Sequence, residues 1–357
     1  GYMKKHGLLK ILGILLLLVV IASYVLTGRQ GEIAYIGLAD VLVNYFGVVL
    51  QNFCYIVLFV LVVGGFYGVL NKIPAYKKLL DKIVTSVKPL GKKAIFVTIL
   101  LFAVIASLTG MTMQLIIFVP FVASIIILLG YDKLVALSST IVSILIGYIG
   151  GVFVNFVNPN TYTVGTYEEF VGVSSKFANT FPKLLLLFAG IALLIYFVNK
   201  HIINVEKKKV NYELKDDSEL MINEIKGDYK SIKVWPIITT FALLFVILVI
   251  GMIPWNTLFG ITIFSDFHTW LQGLKIGNFA VLSNIFSANL PALGEWSGSG
   301  NPMIHYVFIS MLILFMLLII VLLNKVKFNE AIDNFVEGVK KAIPAAILIT
   351  VAYTVLV

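Results

Sequence analysis

The chain has 357 residues, of which 60% are hydrophobic and only 13% are charged. A soluble protein carries about 25% charged residues, because its surface must be solvated. The apolar residues are grouped into blocks of about 15 to 22, the length of helix that crosses the roughly 30 Å hydrocarbon core of a bilayer. The composition therefore excludes a water-soluble globular protein and predicts an all-α, polytopic integral membrane protein in contact with the lipid bilayer.

The net charge of +9 comes mostly from lysines in the loops between apolar blocks. This distribution fits the positive-inside rule, under which cytoplasmic loops are enriched in Lys and Arg. It lacks the basic, aromatic-interleaved face that binds nucleic acid, so no nucleic-acid partner is expected. One cysteine, Cys54, and four histidines far apart in the sequence exclude a disulfide framework and a Cys-rich metal site within one chain.

The first apolar block runs from Leu8 to Leu26, directly after a short basic segment. It is longer than the apolar core of a signal peptide and no Ala-x-Ala cleavage site follows it, so it predicts a retained first transmembrane helix. Residues 255–303 are semi-apolar and interrupted by Gly, Pro, Asn and Ser, which is typical of an interfacial or re-entrant segment. The other apolar blocks predict helices at 50–71, 94–109, 111–129, 134–157, 182–199, 235–254, 304–324 and 343–357.

The blocks and the charged stretches between them divide the chain into four parts. Residues 74–92 place Lys among Leu, Ile and Val at helical spacing, which predicts an amphipathic helix on the inner membrane surface. The predicted parts are a first helix with an outer loop at 1–33, a first repeat at 34–199, a charged cytoplasmic linker at 200–234, and scaffold helices with the start of a second repeat at 235–357.

Orientation follows from where the basic residues fall. A cytoplasmic N-terminus leaves only four of the 27 Lys and Arg residues outside, namely Arg29, Lys176, Lys183 and Lys275. Three tryptophans then lie in the outer segment, as an interfacial aromatic belt requires: Trp255, Trp270 and Trp296. These counts predict a multi-pass protein of the cytoplasmic (inner) membrane with its N-terminus in the cytoplasm.

A polar segment, Ser107 to Gln114, interrupts the apolar stretch 94–129. Hydroxyls, a glycine and an amide are costly facing lipid but useful lining a cavity, so the segment predicts the tip of a re-entrant hairpin. Two full crossings fit the charge count equally well, and Ser107 to Gly110 could also be a tight helix–helix turn. The candidate substrate- or ion-binding residues here are Ser107, Thr109, Gly110, Thr112 and Gln114.

A second polar segment, Asn155 to Thr163, follows the next apolar block. Pro159 removes a backbone donor and disfavours helix at Asn158, so a broken helix is predicted over 134–165. Opened carbonyls with Asn and Thr oxygens suit a sodium ion, placed at Asn158 and Thr161, and nearby N–H groups suit a carboxylate. An exposed turn that ends a helix is the alternative. The candidate residues are Asn155, Asn158, Pro159, Asn160 and Thr161.

The remaining small and acidic residues favour structural roles. Gly64, Gly65 and Gly68 favour close helix packing over binding, and the run Ser138 to Thr140 favours interhelical hydrogen bonds. All eighteen acidic residues fall in loops or at span ends, and Asp132, the closest to a core position, is expected at a turn between helices. No catalytic residue, no resident metal and no cofactor beyond a sodium ion is therefore expected.

Several short motifs follow one another along the chain in a characteristic order. They are Gly-Gly-x-x-Gly with Asn71, a lysine-rich amphipathic segment, Thr109-Gly110-Met111, Pro120, Gly130-Tyr131-Asp132, Asn158-Pro159 with Thr163-Val164-Gly165, and Phe335-x-x-Gly338. This order resembles the YfcC-like and DcuC-like anaerobic dicarboxylate carriers, relatives of the p-aminobenzoyl-glutamate transporters in the ion transporter superfamily. The resemblance implies an inverted-repeat, elevator-type secondary transporter, usually a homodimer, that moves a small carboxylate: a dicarboxylate, an amino acid or a peptide.

The chain departs from that family's pattern at two places. Members commonly carry Gly-Met-x-Glu-Glu at the hairpin, where this chain has Gly110-Met111-Thr112-Met113-Gln114, so sodium coupling is favoured over a proton relay through this half. The second repeat also ends early. If the repeat symmetry holds, roughly 130–150 further residues are expected, and the sequence would then be a fragment of a longer protein. A membrane enzyme such as a lipid-group transferase, and a non-transporting subunit or scaffold, are the alternatives.

Overall fold

The computed structural model describes residues 7–26, 46–149, 180–207, 231–253, 255–281, 293–294, 296 and 302–356. Most of these residues are helical, and one two-stranded antiparallel hairpin pairs β1 (Lys275–Ile276) with β2 (Phe279–Ala280). The helices of the first half are α1 Gly7–Leu26, α2 Phe46–Leu70, α3 Pro74–Val87, α4 Lys92–Thr109, α5 Met113–Ile116, α6 Val119–Leu128, α7 Lys133–Leu137 and α8 Ser143–Ile149. Those of the second half are α9 Thr180–Glu206, α10 Trp235–Met252, α11 Trp255–Phe259, α12 Ile263–Gly273, α13 Pro302–Leu323 and α14 Phe328–Leu356.

Two short non-α turns complete the helical structure. A 3₁₀ turn, Lys88–Leu90, follows α3, and a π-helical turn, Ser138–Val142, joins α7 to α8.

Several helices are long and apolar enough to cross a bilayer. Among the described residues there are four, or five if Ile56–Leu70 and Pro74–Leu90 count as one broken span. The four are Lys92–Thr109, Phe181–Glu206, Trp235–Met252 and Tyr306–Leu323. The prediction of an all-α, polytopic membrane protein is therefore confirmed. The re-entrant hairpin, the broken helix, the repeat and the boundaries of the four parts stay predictions.

Two apolar blocks are organised differently from a simple span. Block 111–129 is divided into α5 and α6, with a break at residues 117–118 ahead of Pro120, which occupies the start of α6. Proline is accepted there because the first helical turn needs no backbone donor. Block 343–357 is the second half of α14, a 29-residue helix that contains Pro344.

The chain divides into two compact units, residues 1–70 with 301–357, and residues 71–300. In the first unit α2 packs against α13 and α14, and α1 packs against α14. Glycines bring α2 and α14 into backbone contact, because a Cβ on Gly64 would lie 2.5 Å from the Cβ of Ala342, and one on Gly68 would lie 2.7 Å from the Cα of Gly338. The packing role predicted for these glycines is confirmed.

The second unit is built around α4, which packs against α8 and α9. A Cβ on Gly147 of α8 would overlap the carbonyl oxygen of Ala103 and lie 2.8 Å from the Cβ of Ala106, so α8 and α4 are in close contact. Apolar side chains from α4, α6, α7 and α9 fill the core: Ile95, Ile99, Ala103, Ile126, Val135, Ala136, Leu187, Ile191, Leu194, Val198 and Ile202.

Helix α3 is the amphipathic helix predicted at 74–92, but its first half is a core element. Residues 75–80 are all buried, and the Tyr76 ring lies 6.1 Å from Phe121 and 6.4 Å from Phe241. The buried Lys78 donates from Nζ to the carbonyl oxygen of Ile232 at 2.8 Å, which fixes the segment just before α10. The first residue, Pro74, is exposed, and from Asp81 onward the residues of α3 are half-buried or exposed.

Candidate functional site

The predicted hairpin tip is a tight turn that closes α4. Gly110 follows the last residue of α4 with φ of 67°, and its N–H donates to the carbonyl oxygen of Ala106 at 2.9 Å. This left-handed backbone conformation favours glycine, since a Cβ would clash with the following carbonyl. Residues 110–112 then turn the chain into α5.

The polar side chains of the tip are buried and bond to the turn itself. The Thr109 hydroxyl donates to the carbonyl oxygen of Ile105 at 2.6 Å and accepts from the N–H of Met111 at 3.2 Å. The Gln114 carbonyl oxygen accepts from the N–H of Thr112 at 3.2 Å. These bonds hold the shape of the turn between α4 and α5.

The Gln114 amide nitrogen has a different kind of partner. It donates to Sδ of Met252 in α10 at 3.5 Å, and Gln114 is buried. A thioether sulfur is a weak acceptor, so this amide is bonded less strongly than it would be to an oxygen. The contact also fixes the tip against the end of α10.

The structure describes five of the ten predicted site residues, and all five lie at the tip. Ser107 and Thr109 are buried like Gln114, whereas Gly110 and Thr112 are half-buried in the same turn. The other five candidates lie outside the described residues: Asn155, Asn158, Pro159, Asn160 and Thr161. The meeting of hairpin tip and broken helix therefore stays a prediction.

The helix leading toward that second segment is irregular. The π-helical turn Ser138–Val142 carries Ser139 and Thr140, which are fully buried. Their hydroxyls donate to the carbonyl oxygens of Val135 at 2.6 Å and Ala136 at 2.7 Å, within their own helix rather than across to a neighbour as predicted. Back-bonding of this kind bends helices, and π-helical turns are frequent at functional sites.

A buried carboxylate–imidazole pair joins the turn before α7 to α9. Asp132 caps α7, since its Oδ1 accepts from the N–H of Val135 at 2.8 Å, and its Oδ2 lies 2.7 Å from Nε2 of His201. The Asp132 side chain is 4% exposed and that of His201 is 19% exposed. The predicted turn position of Asp132 is confirmed, but the pairing with His201 was missed.

Other charged groups surround this pair. Lys92 at the start of α4 forms an ion pair with Glu206 near the end of α9, Nζ to Oε2 2.8 Å. Burial raises the pKa of the neighbouring Tyr131 phenol, while Lys92 opposes that change and Glu206 adds to it. The ends of three segments thus meet at one cluster of ionisable side chains.

Comparison with protein-family models decides the identity of the chain. The DcuC model, described as the C4-dicarboxylate anaerobic carrier, matches residues 9–357. The chain is a member of the DcuC family. Searches of curated proteins and of solved structures returned no significant match. Membership confirms the resemblance read from the motifs, and it identifies this DcuC protein as a multi-pass membrane protein of a C4-dicarboxylate transporter family.

The family's name implies a doubly charged anionic substrate, and the tip of this DcuC protein is compatible with one. Gln114 stands where the resemblance expects an acid, so the tip presents an amide rather than a carboxylate that would repel a dicarboxylate. Among the described residues, no three His, Cys, Asp or Glu side chains lie close enough together to hold a metal ion.

Proposed function

We propose that this DcuC protein is a secondary active transporter that moves a C4-dicarboxylate across the cytoplasmic membrane. The family match over residues 9–357 carries the proposal. Its mechanism is an elevator-type movement in a homodimer, with the substrate held between the hairpin tip and the broken helix. An inverted-repeat carrier with a helix break at Asn158 and Pro159 would use such a site.

Gln114 is the tip residue best placed to bind a substrate carboxylate. Gln114 is buried, and among the described residues its amide nitrogen donates to the sulfur of Met252, so a carboxylate oxygen would be a stronger acceptor for the same N–H. The Gln114 carbonyl oxygen would meanwhile keep its bond to Thr112, which holds the turn. Substrate can therefore replace Met252 as partner without opening the tip.

Ligand-dependent thermal stability tests this assignment. A C4-dicarboxylate such as succinate should raise the melting temperature of the purified protein, by an amount equivalent to about 2.7 kcal/mol at a hundred times its dissociation constant. Gln114→Met removes the amide at similar volume and should abolish most of that rise. Thr98→Val is the matched control, because Thr98 lies on α4, the helix that leads into the tip, and its hydroxyl donates to the carbonyl oxygen of Ala94 within that helix. An undiminished rise in Gln114→Met would remove Gln114 from the site.

Transport is coupled to sodium or to protons. The sodium proposal rests on the oxygen-rich segment containing Asn158 and Thr161. A proton has a candidate site in the described residues, because the Asp132–His201 pair joins the start of α7 to α9 through two ionisable side chains 2.7 Å apart. Comparing uptake under a sodium gradient with uptake under a pH gradient separates the two ions.

The pH profile of uptake tests the proton alternative. In the wild type, uptake driven by a proton gradient should depend on the pH of the medium. His201→Gln keeps a hydrogen-bond donor for Asp132 but cannot be charged, so it should flatten that profile while sodium-driven uptake continues. Lys92, Tyr131 and Glu206 face the same cluster and stay unchanged in the variant. An unaltered profile in His201→Gln would rule out this pair as the proton site.

A further inference from the structure

Seven large apolar side chains are exposed in the stretch that runs from α11 through the β-hairpin. Their exposed fractions range from 41% to 75%, and no residue of α12 is buried. They are Phe259, Ile261, Ile263, Phe267, Trp270, Ile276 and Phe279. Exposed apolar side chains at this density on a short, partly polar segment are typical of a surface that contacts another molecule.

Helix α12 is amphipathic. Ile263, Phe267 and Trp270 recur at i, i+4 and i+7 and share one face. Ser265, Thr269 and Gln272 lie on the opposite side, and Asp266 flanks the apolar face. Eleven residues extend only about 16 Å, roughly half of the hydrocarbon thickness. The helix is therefore too short to cross a bilayer, and its polar face is unsuited to doing so.

The β-hairpin continues the apolar surface. Ile276 and Phe279 are directly opposite each other in the register, so their side chains lie on one face. The turn contains Gly277 with φ of 62°, and the N–H of Val281 donates to the carbonyl oxygen of Leu274 at 2.9 Å to close the loop. A lone two-stranded hairpin is only marginally stable in water, so contact with another surface would stabilise it.

The position of α12 along the chain favours lipid as that surface. Helix α10 is a candidate membrane span, and the Trp255 indole N–H just after it donates to the carbonyl oxygen of Ile250 at 2.8 Å. The Trp255 ring also lies 5.3 Å from the ring of Phe264, which ties α12 to the end of that span. Helix α12 is thus held close to the membrane boundary at which α10 ends.

Composition also fits an uncharged interfacial contact. Between Phe259 and Phe279 the only ionic side chains are Asp266 and Lys275, together with His268. The segment therefore has no basic face for anionic headgroups, and its attraction to the bilayer is hydrophobic and aromatic. Aromatic rings such as those of Phe267 and Trp270 are favoured at headgroup level.

We propose that α12 and the β-hairpin form an interfacial segment, Ile263–Ala280, that lies in the plane of the bilayer surface at the leaflet where α10 ends. Ile263, Phe267 and Trp270 insert into the boundary between headgroups and acyl chains, and Ile276 with Phe279 extends this contact. The partner is the zwitterionic lipid surface itself. The proposal favours interfacial over re-entrant structure for Ile263–Ala280, and it is independent of the substrate.

Spin labelling provides a direct test. In a Cys54→Ser background, single cysteines at Phe267, Trp270, Thr269 and Gln272 carry a nitroxide, and the full chain is reconstituted in phosphatidylcholine vesicles. The ratio of collisions with oxygen to collisions with a water-soluble nickel chelate should be several-fold higher at 267 and 270 than at 269 and 272. Labels at Val246, exposed on α10, and at Glu206, exposed at the end of α9, give the reference collision ratios for lipid and for water.

Two outcomes would overturn the proposal. Nickel accessibility at 267 and 270 equal to that at Glu206 would place the face in water. Shielding from both reagents, with spin–spin broadening between labels, would mean that a second copy of the chain covers it. If Cys54→Ser fails to fold, quenching of tryptophan fluorescence by brominated phosphatidylcholine tests the same point in the native background. Trp270→Phe should then remove part of that quenching. Unchanged quenching would contradict the proposal.

Discussion

Replacing Gly68 by leucine should separate α2 from α14 and sharply reduce the amount of folded protein. A Cβ at this position would lie 2.7 Å from the Cα and 2.9 Å from the nitrogen of Gly338, and it would overlap the carbonyl oxygen of Asn334. All three are backbone atoms, so no rotamer change relieves the contact and the helices must move apart. We expect destabilisation of about 3 kcal/mol or more, at the upper end of overpacking effects.

Fluorescence-detected size-exclusion chromatography and thermal melting in detergent measure this effect. Gly13→Leu is the matched control, because a Cβ on Gly13 of α1 meets no described atom within 4 Å. The control should leave the yield and melting temperature close to wild type. Equal behaviour of the two variants would show that the α2–α14 glycine contact does not limit stability.

Replacing Asp132 by alanine is the second change with a large expected effect. It removes the cap from the N–H of Val135 and the partner of His201 in one step, both at a buried site. Loss of a helix cap and of one member of a buried pair together predicts destabilisation of about 2–4 kcal/mol. Thermal melting should show a clear drop for Asp132→Ala.

Two further variants identify the cause of that drop. Asp132→Asn keeps an acceptor for the N–H of Val135 but removes the charge, so its melting temperature should fall between wild type and Asp132→Ala. Asp266→Ala removes an exposed carboxylate on α12 and should change little. If Asp132→Ala and Asp266→Ala melt alike, neither the cap nor the pair with His201 contributes to stability.

The long helices could be predicted from the sequence because each apolar block is continuous and close to the membrane thickness. Block 94–109 corresponds to Lys92–Thr109, and block 235–254 to Trp235–Met252. Packing at Gly64 and Gly68 was also predictable, since small residues at this spacing allow helices to approach closely. The left-handed turn at Gly110 agrees with the helix–helix turn considered for Ser107 to Gly110.

Other features depend on tertiary contacts that no local pattern encodes. Asp132 and His201 are 69 residues apart, and no spacing rule connects them. The first half of α3 has the pattern of a surface helix, yet Tyr76 is packed near Phe121 and Phe241, so tertiary packing overrides amphipathicity there. The register change of the π-helical turn likewise depends on packing rather than on the identity of Ser138 or Thr140.

The candidate site was only partly accessible from the sequence. The tip residues lie together because they are close in the chain, and their hydrogen bonds are mainly local to the turn. The contact between Gln114 and Met252 joins residues 138 positions apart and could not be predicted. The segment from Asn155 to Thr161 lies outside the described residues, and its role stays a prediction.

Uptake of radiolabelled succinate into proteoliposomes containing the purified chain tests the central claim most directly. A C4-dicarboxylate transporter should give saturable accumulation that unlabelled fumarate or malate inhibits and that a C4 monocarboxylate such as butyrate does not. Empty liposomes and the Gln114→Met variant should show only background uptake. Accumulation no greater than in empty liposomes, under both sodium and pH gradients, would contradict the assignment of transport to this chain.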